Sequence, residues 1–190
     1  MVRRGTLAAV AVLALTGCGS DGEQPPPSPT PATVSGPLCA ALPTGDDPGA
    51  PASLAGDPAD EALTWIPVIT TFEAAIRATG LDRTLHASDG VTILAPTDEA
   101  FDAAFDRRRL DDLLLSRHGD LRDLLEAHLI DGEVGLADML DSGSVTTLDG
   151  REHPVEEVDG MARLDGRATT VCADYRVANA RIHVIDRVLR

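Results

Sequence analysis

Three cysteines and five histidines are the side chains in this chain with the widest chemical repertoire. The histidines, His86, His118, His128, His153 and His183, show none of the spacings that metal chemistry uses. A metalloprotease helix sets two imidazoles four residues apart around a glutamate, and His-Glu-x-x-His does not occur. The serines lack the Gly-x-Ser-x-Gly turn that raises a nucleophile out of a sheet, and Asp141-Ser142-Gly143-Ser144 reads as a loop. Asp-x-Asp-x-Asp-Gly calcium loops, Gly-x-Gly-x-x-Gly turns and Walker-type phosphate loops are also missing from the sequence. Histidines scattered in this way read as hydrogen-bonded structural residues. The sequence therefore carries no catalytic set, metal ligands or cofactor site, and an envelope enzyme is disfavoured.

Cys18 has a different chemistry. Met1–Arg4 carries two positive charges, and Leu7–Leu15 is a nine-residue apolar run, far short of the roughly 20 residues a membrane-crossing helix needs. A charged start, a short apolar run and a small residue before a cleavage point describe a signal peptide over residues 1–17. The adjacent Arg3 and Arg4 raise a twin-arginine export route, although their neighbours fit it poorly. Leu15-Thr16-Gly17-Cys18 resembles the bacterial lipobox, in which the thiol takes a diacylglyceryl thioether and becomes the first mature residue. Two or more acyl chains hold a protein stably on a membrane, so Cys18 is the expected lipidation site on the outer face. Cys39 and Cys172 remain. An even pair in an oxidising compartment favours a structural disulfide over two buried free thiols. In the chain-entropy view, closing so long a loop contributes on the order of 5 kcal/mol at most.

The formal charge of the 190 residues is −15, and cleavage before Cys18 would remove Arg3 and Arg4 and make it −17. Such a field repels phosphate backbones and anionic headgroups, which excludes nucleic acid as a partner. Trp65, Tyr175, Phe72, Phe101 and Phe105 are the five aromatics, too few for a stacking platform. Residues 18–38 read as a lipidated cysteine followed by a stalk. Gly19–Pro37 holds six prolines and tends toward extended polyproline II geometry, reaching about 60 Å at most.

The elements that must position everything else begin after Cys39. Val91-Thr92-Ile93-Leu94 reads as a short buried strand that ends at Ala95-Pro96. Thr97 then stands where a helix N-cap belongs, with Asp98 and Glu99 at the positive end of the helix dipole. Phe101 and Phe105, four apart, share one helical face. Before this stretch, Asp57-Pro58 opens a short helix. A second runs from about Pro67 to Thr79, stopped by Gly80, and Leu81–Ala87 forms another turn. After it, Leu110–Leu114 and Asp120–Ala127 are amphipathic helices, His128–Ile130 switches to strand, and Leu136–Leu140 returns briefly to helix. Asp149-Gly150, Asp159-Gly160 and Asp165-Gly166 mark three hairpin turns. Arg167–Cys172 and Ala180–Leu189 close the chain as strands, the last with apolar residues for both faces and hence central. Helices early and strands late indicate an α+β class.

Ala95-Pro96-Thr97-Asp98-Glu99-Ala100-Phe101 resembles the first signature segment of fasciclin-like domains, and Asn179–Leu189 (NARIHVIDRVL) resembles the second. His128, followed by Leu129-Ile130-Asp131-Gly132, lies where that family carries its histidine segment. The resemblance spans roughly Cys39–Arg190, and it makes Pro96, Thr97, Phe101, His128, His183 and Asp186 the motif positions. Cys39 and Cys172 are arranged as in small single-domain bacterial members, which are exported or lipid-anchored surface antigens. The likeness implies a wedge of about seven strands packed with several short helices over residues 39–190, and a non-catalytic role in adhesion or extracellular binding. Tyrosine often precedes the histidine in this family; Ala127 stands there instead, so integrin-type binding is not carried over. The expected partners are the membrane, through the lipid on Cys18, and an extracellular protein or envelope component. A small-ligand or lipid carrier with a deep apolar cleft between sheet and helices is the alternative.

Overall fold

Strand β1 (Val91–Pro96) is buried along its whole length, as expected for a segment apolar on both faces. In the computed structural model, which describes residues 33–190, it lies between β2 (Leu129–Asp131) and β7 (Ala180–Ile185). The pairing with β7 is parallel, Val91 facing Ala180 and Pro96 facing Ile185; the pairing with β2 is antiparallel. The sheet continues from β7 through β6 (Ala168–Arg176), β5 (Met161–Leu164) and β4 (Glu152–Val158) to β3 (Ser144–Thr146), all antiparallel. Seven strands in the order β2-β1-β7-β6-β5-β4-β3, with eight helices among the described residues, make an α+β fold with a mixed sheet.

Alternation along the central strands sends neighbouring side chains into two different cores. Ile93 and Ala95 of β1, with Ile182 and Val184 of β7, join a helical layer. That layer contains α1 (Pro51–Leu54), α2 (Ala59–Leu63), α3 (Thr70–Thr79), α4 (Asp82–His86), α6 (Arg107–Leu115) and α7 (His118–Glu126). Phe101, on α5 (Asp98–Ala104), belongs to the same core as Ile182 and Val184, so the strand-to-helix corner and the terminal strand share one interior. Leu94 and Ile185 point the other way, into a second core with Met139 on α8 (Leu136–Ser142) and residues of β3 to β5.

Most boundaries follow local chemistry. The Thr97 Oγ1 accepts the Ala100 N–H at 3.1 Å, the cap expected of it. The hairpins at Asp159-Gly160 and Asp165-Gly166 place both residues of each pair at positive φ, the geometry of a tight two-residue turn. Besides β6, which runs on to Arg176 instead of ending at Cys172, three boundaries differ from expectation with a visible cause. The second helix starts at Thr70, not Pro67, because its first N–H groups are met by Asp98 from another element: Oδ1 accepts from Thr71 N at 2.7 Å, and Oδ2 accepts from the Thr70 hydroxyl at 2.9 Å. The last strand ends at Ile185, not Leu189, because the Leu189 N–H turns to a side chain of α7's neighbour, His128, instead of a ladder.

The third difference is at the stalk. Residues 33–38 do not wait for Cys39 to join the domain. Ser35 pairs with Ala173 of β6, with N···O distances of 3.1 and 2.7 Å, and Leu38 N donates to Val171 O at 2.9 Å. Between them Gly36 sits at φ +133° so close to β6 that a Cβ would stand 2.3 Å from Val171 O. The Cys39–Cys172 disulfide, with Cα atoms 5.0 Å apart, fastens this segment to β6 across 133 residues. The signal segment, Cys18 and the proline tract up to residue 32 lie outside the described residues.

Candidate functional site

The motif residues are placed by burial and by hydrogen bonds that close over long distances. His128 is 1% exposed at the end of α7. Its Nδ1 donates to Leu124 O at 2.7 Å and its Nε2 accepts the Leu189 N–H at 2.9 Å, so the ring ties helix to chain end. Burial lowers its pKa to about 4. Ala127, where the family often has tyrosine, is itself buried and offers no hydroxyl. His183 is fully buried on β7, between Val134 O at 2.9 Å and the Asp174 N–H at 3.3 Å; burial lowers its pKa too. Asp186 exchanges bonds with Thr169: its Oδ1 accepts from Thr169 N at 2.7 Å and its own N–H donates to Thr169 O at 3.0 Å. Pro96 ends β1, and Thr97 and Phe101 seat α5. Five of these six residues are buried and Asp186 is exposed, and they do not converge on one site.

Two linking residues were not legible as such. Asn179 accepts the Ala59 N–H at 2.8 Å and donates through Nδ2 to Leu85 O and Ser88 O, at 2.8 and 3.1 Å. One amide thus caps α2 and holds the segment after α4. Asp98 does the same for α3, as described above.

One set has the order hydroxyl, imidazole, carboxylate. Thr147 Oγ1 lies 3.2 Å from His153 Nε2, and His153 Nδ1 lies 2.7 Å from Asp165 Oδ2. The hydroxyl has a single proton, and Asp149 Oδ1 accepts it at 2.6 Å, closer than the imidazole. Thr147 and His153 are both 3% exposed. A buried hydroxyl whose proton is held by a second carboxylate is not poised for attack. The set acts as a brace that fixes the turn between β3 and β4.

That turn borders an open trough of about 640 Å³ between the two edges of the sheet. Ile130 and Asp131 of β2 line one side, Ser144–Thr146 and Leu148 the other, and Val134 lies between. In antiparallel pairs successive residues bond to opposite sides. The bonds Leu94 N to His128 O and Gly132 N to Gly90 O turn the even-numbered residues of β2 toward β1, leaving Leu129 and Asp131 facing outward. Thr147 N to Arg151 O and Val155 N to Gly143 O turn the odd-numbered residues of β3 toward β4, leaving Ser144 and Thr146 outward. The two edges meet through one backbone bond among the described residues, Leu148 N to Leu129 O at 2.7 Å. Leu148 stands at the rim, 48% exposed.

A profile of the Fasciclin domain matches residues 67–190. The chain belongs to the fasciclin-domain family. It is similar to Protein sll1483 of Synechocystis sp., 34% identical over 137 residues that cover 68% of this chain and 74% of that one. Cell surface glycolipoprotein MPT83 of Mycobacterium tuberculosis is 28% identical over 213 residues, covering 97% of this chain and 92% of the relative. Transforming growth factor-beta-induced protein ig-h3 of Sus scrofa is 31% identical over 122 residues, which are 63% of this chain and 17% of that much longer protein. The FAS1 domain pair of the insect cell adhesion molecule Fasciclin I shares the fold, with a TM-score of 0.57 at 19% identity over 70% of this chain and 50% of that one. This fasciclin domain is thus similar in sequence to a surface glycolipoprotein, and its wedge-like sheet with packed helices is the fold it shares with the FAS1 pair.

Proposed function

We propose that this chain is a lipid-anchored, extracytoplasmic fasciclin module that binds a partner protein or envelope component without catalysis. The charged start, the apolar run and Leu15–Cys18 support export and lipidation of Cys18. The likeness to a mycobacterial cell surface glycolipoprotein over 97% of this chain supports the same address. The trough between β2 and β3 is the observation that carries the binding role. Outward N–H and C=O groups on two facing edges, with apolar walls, suit an extended segment of a partner laid in as an added strand.

Two experiments test the reading. Growth with a fatty acid analogue should label the wild-type chain and leave Cys18→Ala unlabelled; an unlabelled wild type, or a labelled variant, overturns the anchor. A photo-crosslinking residue at Thr146 should give a discrete adduct in intact cells, whereas one at Arg108 on α6 should not. Adducts at neither position, or equally at both, overturn the trough as the binding surface.

A small-ligand carrier is the second reading, favoured by the apolar lining of the trough. The space between sheet and helices, where such a cleft was expected, is instead filled by Phe72, Ile76, Leu121 and Leu125. Displacement of a bound apolar dye by fatty acid but not by peptide would favour the carrier.

A further inference from the structure

The protein is strongly acidic, yet arginine walls one of its clefts. Arg167, in the turn between β5 and β6, and Arg187 and Arg190, after β7, line a cleft of about 220 Å³ together with Asp165, Val188 and Leu189. All three arginines are exposed. Among the described residues none of the three has an acidic side chain within ion-pair distance, as is also true of Arg83, Arg107, Arg108, Arg163 and Arg176 and unlike Arg77, Arg109, Arg117, Arg122, Arg151 and Arg181. The neighbouring acids are already engaged. Asp165 Oδ2 is held by His153 Nδ1 at 2.7 Å, and Asp186 Oδ1 by Thr169 N at 2.7 Å.

The backbone beside the cleft is held at two points: Leu189 N bonds to His128 Nε2 and Asp186 N bonds to Thr169 O, so Arg187 lies between two pinned residues and Arg190 directly follows one. The Arg190 guanidinium carbon stands 5.3 Å from the Phe105 ring centroid, an aromatic face that steadies the cation. Three guanidinium-bearing residues outnumber the one acidic side chain, Asp165, that lines the cleft with them, so an entering anion meets a net positive wall.

We propose that this cleft is a phosphate-binding site. A guanidinium presents a planar fork of donors that matches carboxylate or phosphate oxygens. A carboxylate has two oxygens and one charge. A phosphate has more oxygens and carries up to two charges, so it can satisfy more than one fork, and the cleft is of a size for one such group. The formal charge of −15 keeps the domain off a flat anionic bilayer, while a slender phosphate-bearing polymer can reach a single cleft. The phosphate is read from the cleft itself; its source in an envelope polymer rests on the extracytoplasmic reading above.

Titration of the full chain with inorganic phosphate at constant ionic strength, followed by amide shifts or heat, tests the site. The expected result is saturable binding that weakens about tenfold or more in Arg167→Gln/Arg187→Gln and is unchanged in Arg108→Gln, at equal thermal midpoints. The single variant Arg167→Glu should weaken binding as well. No saturation, or an equal loss in Arg108→Gln, overturns the site and leaves the trough untouched. A poly(glycerol phosphate) probe should bind more tightly than phosphatidylglycerol vesicles. The reverse order overturns the polymer as source. A wild type that binds no phosphate yet keeps the Thr146 crosslink would sink the cleft alone; the opposite pattern would sink the trough alone.

Discussion

The Leu189 N–H points at the unprotonated Nε2 of His128, 2.9 Å away, while the opposite ring nitrogen donates to Leu124 O. The imidazole is therefore held neutral by its neighbours as well as by burial. Adding a proton would set two N–H groups against each other in a site that is 1% exposed. The terminal residues of the chain are locked to α7 through that one lone pair.

A pH dependence of stability follows. Burial lowers the folded-state pKa of His128 from 6.5 to about 4. Above the unfolded value both states are neutral and the full stability is present. As pH falls from 6.5 toward 4 the unfolded chain takes up a proton that the folded chain refuses, and stability is lost; below about 4 the loss from this group levels off. The cost should be about 2 kcal/mol by about pH 5, with His183, shifted in the same direction, adding to it. Urea midpoints across this range should fall for the wild type and fall less for His128→Gln. A flat wild-type profile, or one unchanged by the substitution, would show that the ring protonates in place.

Asp98 carries a second expectation. A helix start depends on someone accepting its free N–H groups, and for α3 that acceptor comes from α5. Asp98→Ala should cost about 1–2 kcal/mol, the usual range for a lost cap, with earlier amide exchange in α3 than in α7. Asp98→Asn keeps an acceptor oxygen and should recover part of the loss. Equal exchange in both helices would point to a general effect on folding instead.

What the sequence made legible, and what it hid, divides by range. The β1 strand, the Thr97 cap, the Asp-Gly turns and the central position of the terminal strand all come from patterns within a few residues. The contacts that decide the boundaries join distant residues: Asp98 to Thr70 across 28 positions, Asn179 to Ala59 across 120. Neither is marked by local composition, because any exposed Asp or Asn looks like a turn residue from its neighbours alone. The proline tract misleads for the same reason. Ser35 and Gly36 read as stalk, yet their backbone fits against β6, a partner more than 130 residues away. The trough was equally hidden, since it exists only where β2 and β3, the two ends of the sheet order, come back toward each other.

Asn179, half-buried in the second signature segment, should be among the most sensitive positions. Its side chain meets the Ala59 N–H and the Leu85 and Ser88 carbonyls at the junction of α2, α4 and β7, and of these Leu85 O has a further donor in Ser88 N at 3.3 Å. Asn179→Ala should cost about 2–3 kcal/mol, since partly buried groups are left unpaired. Asn179→Asp keeps the acceptor for Ala59 but loses both donors and sets a charge against two carbonyl oxygens, so it should be at least as damaging. Thermal midpoints of the two variants decide this; a benign Asp variant would mean that the Leu85 and Ser88 bonds contribute little.

The last expectation separates two fastenings of the same segment. The disulfide restrains the unfolded chain, and by the loop-entropy model its removal in Cys39→Ser/Cys172→Ser should cost up to about 5 kcal/mol. Gly36 acts in the folded state instead: with φ +133° and β6 too near for a Cβ, Gly36→Ala must push residues 33–38 away from Val171. With the disulfide intact the displaced segment stays tethered, so Gly36→Ala should open the Ser35–Ala173 pairing while leaving the core in place. Without the disulfide the same substitution should release the segment entirely, and protease should then cut near residue 36 before the core is touched. Two variants whose effects simply add, with no change in the site of cutting, would mean that the backbone pairing and the disulfide hold the segment independently.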